Sequence, residues 1–302
     1  MKDVTLRQLR FLSEAARTGS LAGAALSMHV TAPAVGQQLR LLEREVGLPL
    51  LERGRGGQEV TEAGALVLAT ARRIEAEIRA CSDQLGALRR GESGHVALGA
   101  VSTAKYFAPR LLAAFQREHP GVRLALVVGN RAEIVDRLES FEIDLAVMGR
   151  APSRLDVVQE VLADHPYVVV APPDHPLVGR PRLSFDQVAR EPFLLREPGS
   201  STRAHADDLF ATVGMRPTVV MEIASNETIK QAVMAGLGIA VISEHTVGAE
   251  LRDGRLAVLR VAQFPVMQQW LAVRMAQRAV GPASSALWDF LVAEAGDLIP
   301  QV

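Results

Sequence analysis

The 302-residue chain contains a single cysteine, Cys81. That excludes an internal disulfide framework and fits a reducing cytoplasm. No apolar run approaches the length that crosses a bilayer. The opening MKDVTLRQLRF has no apolar core of the kind a secretory signal needs, so a cytoplasmic protein without a membrane partner is expected. The seven histidines are scattered, and His165 and His175 each precede a proline. There is no metal-ligand spacing, no Walker loop and no GxSxG elbow, so neither a catalytic residue nor a metal site is expected. Lysine is scarce: Lys2, Lys105 and Lys230 are the only three.

What is present belongs to an ordinary globular protein, 48% apolar and 22% charged, of one to three domains. The net charge of −1 is unevenly spread. Residues 1–90 carry 13 Lys and Arg against 10 Asp and Glu, leaving 20 against 24 for the rest, so +3 and −4. A mildly basic N-terminal part on an acidic body suits a nucleic-acid-reading head on a soluble carrier.

Ser20–Val46, SLAGAALSMHVTAPAVGQQLRLLEREV, reads as two short helices joined by a tight turn at His29 and Val30. Ser20 and Thr31 are N-cap residues, and Pro33 falls in the first turn of the second helix, where its missing N–H costs nothing. Val35, Leu39, Leu42 and Val46 recur at spacings of four, three and four, a buried stripe. Pro33, Gly36, Gln37, Arg40 and Arg44 fall on another side. A helix with a small, polar N-terminal half can enter a major groove and reach base edges. Spacing alone fits an ordinary helical hairpin equally well.

The flanks favour the groove-reading alternative. Thr5–Arg17 is an amphipathic helix ended by Gly19, on which the hairpin can pack. After Gly47, Leu50 and Leu51 read as a short strand, RGRGGQ as a hairpin tip, and Val60–Thr61 as the return. Three helices and a hairpin carrying Arg53 and Arg55 make a winged helix-turn-helix, its arginines suited to phosphate or minor-groove contact. Glu62 to about Arg90 is one long helix. Its stripe of Val67, Ala71, Ile74, Ile78, Cys81, Leu85 and Leu88 needs a partner, either the same helix of a second copy or the protein's own body.

GESG at 91–94 marks a boundary. Beyond it strands and helices alternate: HVALGAV, APRLLAAFQREH, VRLALVVG, RAEIVDRLES, DLAVMG, then YVVVA, FLLRE, a helix from about Ser201, VVMEI, a helix from Asn226 and GIAVIS. This implies a mainly parallel sheet. LAVLRV and QQWLAVR lead back to a final helix over Ser284–Ala295. The fold class is therefore α/β: a winged helix-turn-helix over 1–61, a linker helix over 62–90 and a two-lobed body over 91–302. Lobe I takes about 91–162 and 266–302, and lobe II about 163–265.

Ligands of open parallel sheets bind at the carboxyl ends of strands. There the chain places Ser102, Thr103 and Lys105, then Asn130 and Arg131. The second lobe adds Arg196, Pro198, Gly199, Ser200, Ser201, Thr202 and Arg203, and then Asn226, Glu227 and Lys230. The PGSST turn opens a helix, so N–H groups and hydroxyls converge as in an anion site. As a set these residues point to a small anionic, phosphorylated ligand. Singly, each hydroxyl could equally be a helix cap and each cation a surface residue.

LRQLRFLSEAARTGSLAGAA, TAPAVGQQLRLLE, LPLLER and VTEAG resemble the LysR-type transcriptional regulators, over essentially the whole chain. The resemblance implies a periplasmic-binding-protein type of effector domain, a dimerising linker and a homotetramer of paired dimers on double-stranded promoter DNA. It also implies effector-dependent DNA bending and contact with RNA polymerase. By the same resemblance the DNA-facing residues are Ala32, Pro33, Gly36 and Gln37, with Arg53 at the wing; Thr31 at the cap, Arg40 on the polar side of the helix and Arg55 at the hairpin tip are expected to face DNA with them. Ala32 stands where the family commonly has Gln, and Gly36 where it has Ser, so base readout is expected to rest on Gln37, the wing and DNA shape. VSTAKYFAP, GNRAEIVDRL, VVAPPDHPL, REPGSSTR and MEIASNETIKQAVMAGLGIAVIS resemble the CbbR group of Calvin-cycle and RuBisCO operon activators. That group implies no cofactor and an effector such as ribulose bisphosphate, another phosphorylated intermediate or NADPH. The competing expectations are a LysR-type regulator of a different regulon with another anionic effector, or an enzyme or solute-binding module fused to a DNA-binding head.

Overall fold

A computed structural model describes residues 3–54, 57–90, 94–277 and 280–300, and only the backbone of residues 79, 80, 83, 84 and 86–90. The chain forms two compact units, Met1–Ser82 and Asp83–Val302.

In the first unit, α1 (Leu6–Thr18), α2 (Leu21–Ser27) and α3 (Ala32–Val46) precede a hairpin of β1 (Leu51–Gly54) and β2 (Gly57–Val60), followed by α4 (Glu62–Arg90). Local chemistry sets the ends. Thr5 and Gln8 form a reciprocal capping box, and Gly19 closes α1 in the left-handed region at φ 65. The Ser20 hydroxyl accepts the Gly23 N–H at 3.0 Å. Thr31 occupies the N-cap of α3 but its side chain makes no capping bond, so the expected cap is positional only. Leu9, Phe11, Leu12, Ala24, Ala25, Val35, Leu39, Leu42 and Leu50 make the core, and Val67, Leu68 and Ala71 of α4 close it.

The hairpin is docked rather than free. The Gln58 N–H donates to the Gly19 carbonyl at 2.8 Å. A Cβ on Gly57, at φ 136, would lie 2.4 Å from that same carbonyl, so only glycine allows the approach. Strand β1 begins at Leu51; Leu50 is a fully buried core residue ahead of it.

The α4 stripe divides. Val67 and Ala71 are buried with the head core and Ile74 is half-buried, whereas Ile78, Cys81 and Leu85 are exposed. The first turns thus pack on the protein's own body, and the later stripe residues stay exposed. The Leu88 side chain lies outside the described residues, as do Arg55 and residues 91–93.

In the second unit, β3 (His95–Val101), α5 (Ala108–Glu118), β4 (Arg123–Gly129), α6 (Arg131–Glu139) and β5 (Leu145–Met148) build lobe I. Strand β6 (Val157–Ala171) then runs into lobe II. That lobe holds α7 (Phe185–Val188), β7 (Pro192–Arg196), α8 (Ser201–Thr212), β8 (Thr218–Ile223), α9 (Asn226–Met234), β9 (Ala240–Ser243), α10 (Gly248–Arg252) and β10 (Ala257–Val258). Strand β11 (Val266–Met275) returns, and α11 (Pro282–Leu298) covers lobe I. The final helix is longer than Ser284–Ala295, and LAVLRV supplies only a two-residue strand.

The expected mainly parallel sheet is corrected. Strand β3 pairs parallel with β4 and β5, and β7 with β8, but β11 pairs antiparallel with β5 and β6, and β6 antiparallel with β9 and β10. The reason is connectivity: the chain enters lobe II on β6 and leaves on β11, so the two crossing strands must run in opposite senses. Along β6 the strand period places Tyr167, Val169 and Ala171 in one core, with Phe193 and Phe210, and Val168 and Val170 in another, with Ile229, Val233 and Ile242. Lobe I packs around Leu98, Leu111, Phe115, Ile134, Val147, Trp270 and Leu287.

Candidate functional site

The first site is the outer face of α3. Thr31, Pro33, Gln37, Arg40 and Arg44 are exposed and Ala32 is half-buried. Gln37, Arg40 and Arg44, at helical spacing, line an open groove of about 600 Å³ with Glu43, Gly47, Leu48 and Pro49. Gly36 does not belong to this exposed face. It is buried, and a Cβ there would meet Arg40 Nη1 at 3.4 Å and Leu21 at 3.6 Å. Arg53, paired in register with Gln58, is exposed. Cationic and amide side chains on one exposed helix face, beside a docked hairpin, suit phosphate and base-edge contacts.

The second site lies between the lobes, where strand ends from both meet. Arg196, the last residue of β7, is 2% exposed. Its Nε and Nη2 donate to the two Glu197 oxygens at 2.7 and 2.9 Å. Its Nη1 donates to Ser102 Oγ of lobe I at 3.2 Å and to Asn226 Oδ1 at 2.5 Å. Asn130 caps α6 through a capping box with Glu133 and reaches across to Glu197 Oε1 at 3.3 Å. The Ala132 N–H donates to the Gly199 carbonyl at 3.2 Å, and the Tyr106 hydroxyl donates to Glu227. Gly199 is the special residue of this seam: φ is 90 and a Cβ would stand 3.1 Å from Ala132 Cβ. The lobes therefore meet through Ser102, Tyr106, Asn130 and Ala132 on one side and Arg196, Glu197, Gly199 and Glu227 on the other.

Two polar groups at this seam are buried without a partner, Ser201 Oγ and Asn226 Nδ2, while the buried Thr202 hydroxyl lies near the Tyr167 phenol. Thr103 and Ser200 are also buried, and Ser200 holds the N-cap of α8 without a side-chain bond. Beside them lie Tyr167, its ring tilted by 57° against that of His205 at 4.6 Å, and His165, stacked on Trp270 at 3.7 Å with Nε2 on Ser243 Oγ at 2.9 Å. Burial raises the Tyr167 phenol well above its ordinary range and lowers the His165 and His205 imidazoles, so all three are neutral near pH 7. Buried donors left unsatisfied are costly unless something fills them.

Three of the expected cations are held by protein acceptors. Arg131 donates to the carbonyls of Arg150 and Ala151 at 2.9 and 3.0 Å, and burial, with the Arg150 and Arg154 cations, lowers its pKa. Arg203 braces the Arg196 carbonyl and pairs with Asp207 and Glu222. Lys230 is 3% exposed and held by Glu250 at 3.0 Å, Glu227 at 2.9 Å and the Thr246 carbonyl. In each case helix geometry put the residue at the right turn while its long side chain found an acceptor elsewhere. Lys105 is half-buried over the Tyr106 ring at 5.1 Å and makes no ion pair among the described residues. Pro198 is exposed at the turn. Burial would raise the Glu227 pKa, but bonds from Tyr106 and Lys230 outweigh it and lower it. Sequence reasoning missed Tyr106, Glu197 and Glu250; the first two stood inside quoted motifs, but nothing in their spacing says that they pair with a cation or across lobes.

A winged head with an open cationic helix face, carried with a two-lobed domain that buries polar groups at its seam, defines a ligand-responsive transcription regulator. Family models match at both ends: residues 6–65 match "Bacterial regulatory helix-turn-helix protein, lysR family" and 89–296 match "LysR substrate binding domain". The chain belongs to the LysR family of transcriptional regulators and is not an enzyme. It is 47% identical over 300 residues to the HTH-type transcriptional regulator CbbR of Xanthobacter flavus, covering 99% of this chain and 90% of that one. It is 41% identical over 292 residues to the RuBisCO operon transcriptional regulator of Allochromatium vinosum, covering 97% of each. Among solved structures, the regulatory domain of Synechocystis PCC6803 CcmR in complex with 2-PG aligns with 35% identity and a TM-score of 0.64, over 66% of this chain and 96% of that one. No helix among the described residues is long and apolar enough to cross a membrane.

Proposed function

We propose that this LysR-family regulator activates Calvin-cycle genes, the RuBisCO operon among them, in response to a phosphorylated or nucleotide metabolite held between the lobes. It acts in the cytoplasm as a homo-oligomer of paired dimers on promoter DNA, in reach of RNA polymerase. The regulon rests on one observation: similarity to proteins named for the RuBisCO operon runs through head and body alike, at 41% and 38% identity over 97% and 98% of the chain. The class of effector is supported by the buried Arg196 beside the unpartnered Ser201 and Asn226 groups. The related CcmR domain carrying 2-PG points the same way. Gln37 reads base edges and Arg53 the backbone or minor groove, while the exposed Ile78, Cys81 and Leu85 of α4 meet a second copy.

The test is titration with ribulose 1,5-bisphosphate, NADPH and an unphosphorylated sugar, read as thermal stability, because a ligand that binds only the native state raises it by mass action. A shift with the phosphorylated compounds alone is expected. A shift with none of them refutes the effector and detaches the regulon from carbon fixation. Ser201→Ala with Thr202→Ala should weaken the shift and leave DNA affinity intact.

A further inference from the structure

We infer that Glu197 is a built-in competitor for the effector's anionic group, occupying the Arg196 guanidinium until the ligand displaces it. The inference rests on the anionic-effector reading above and names how that site is gated. Of the cations placed at the seam by the sequence, Arg131 is committed to carbonyls, Arg203 to Asp207, Glu222 and the Arg196 carbonyl, and Lys230 to Glu250 and Glu227. Arg196 is buried at the junction of the lobes and bonded to both, through Ser102 and Asn226. A guanidinium fork accepts a carboxylate or a phosphate by the same two parallel N–H bonds. Here Glu197 makes both, at 2.7 and 2.9 Å, and Nη1 is taken by Ser102 and Asn226. All three guanidinium nitrogens are engaged, so a phosphate gains the fork only when Glu197 leaves it.

Glu197 is built to leave. Its side chain is 18% exposed against 1% for Arg196, and it precedes the exposed Pro198–Gly199 turn, so its carboxylate regains water on release. Its departure has a consequence in the other lobe. Glu197 Oε1 is the acceptor of Asn130 Nδ2 at 3.3 Å, so the exchange of one anion for another also removes a bond that ties α6 to lobe II. Occupancy of the site is thereby converted into a change at the seam, without any contact between ligand and Asn130.

The test uses the full-length protein and inorganic phosphate at constant ionic strength, followed by calorimetry, with thermal melting to confirm folding. Glu197→Gln removes the competing charge and should bind phosphate about tenfold tighter than wild type, the factor that loss of one charge-assisted pair commands. Glu197→Asp keeps the charge but lacks the reach for both nitrogens, and should also bind tighter than wild type. Unchanged or weaker binding by Glu197→Gln overturns the inference. So does a gain by Gln with none by Asp, which would mean general repulsion of anions rather than occupation of the fork. Wild type is titrated in parallel with ribulose 1,5-bisphosphate and NADPH. A response there with no gain in the variants refutes the competitor alone. A gain in both variants with no response to either metabolite refutes the effector reading alone.

Discussion

Glu250→Leu separates a structural lysine from a ligand-binding one. Lys230 Nζ has three acceptors: Glu250 Oε1 at 3.0 Å, Glu227 Oε1 at 2.9 Å and the Thr246 carbonyl at 3.0 Å. The side chains of Lys230 and Glu250 are 4% and 9% exposed, whereas Glu227 is 46% exposed. Removing Glu250 leaves the ammonium buried against one half-solvated carboxylate and one carbonyl. Breaking a buried pair from one side costs about 3–5 kcal/mol, and the surviving Glu227 contact places this case near 3 kcal/mol. At about 2–4 °C per kcal/mol for a domain of this size, the melting temperature should fall by about 6–12 °C. Lys230→Met combined with Glu250→Leu removes both buried charges together and should recover most of that loss. Melting curves of wild type, each single variant and the double variant decide it. A double variant as unstable as Glu250→Leu alone, or a single variant within about 1 kcal/mol of wild type, refutes the argument that burial of an unmatched charge sets the cost.

Arg53→Ala should weaken DNA binding across sequences and reduce the salt slope by about one unit, and an unchanged slope would place Arg53 off the phosphates. Ser20→Ala removes the acceptor of the Gly23 N–H and should cost the head about 1 kcal/mol in thermal unfolding. His165, His205 and His245 are all held below the ordinary imidazole value, chiefly by burial. The native state therefore binds fewer protons than the unfolded chain below about pH 6.5, so stability is full above that pH and is lost as the pH falls toward the folded values. Melting temperature should drop between about pH 7 and pH 5, and His165→Gln should flatten the drop; an equally steep profile in the variant would exclude His165 as a source.

Much of this protein was determined by its sequence because the controlling interactions are local. Thr5, Gln8, Gly19 and Ser20 fix the ends of α1 and α2 by bonds that reach no more than three residues, and the stripe of Val35, Leu39 and Leu42 needs only helical period. The expected span of α4, Glu62 to Arg90, matches the structure for the same reason. Strand sense was not local. Whether β6 and β11 run parallel or antiparallel depends on how the chain crosses between lobes and back, 109 residues separating Val157 from Val266, so the mixed sheet emerged only in three dimensions. The seam shows the same division. Sequence placed Ser102, Asn130, Arg196, Ser201 and Asn226 at helix starts and strand ends. Only the tertiary structure decided that Arg196 meets Ser102 and Asn226 while Arg131, Arg203 and Lys230 turn to other acceptors. Backbone position follows from a few neighbouring residues, but the direction taken by a long charged side chain is set by whichever acceptors distant segments bring within reach of a group too costly to bury alone.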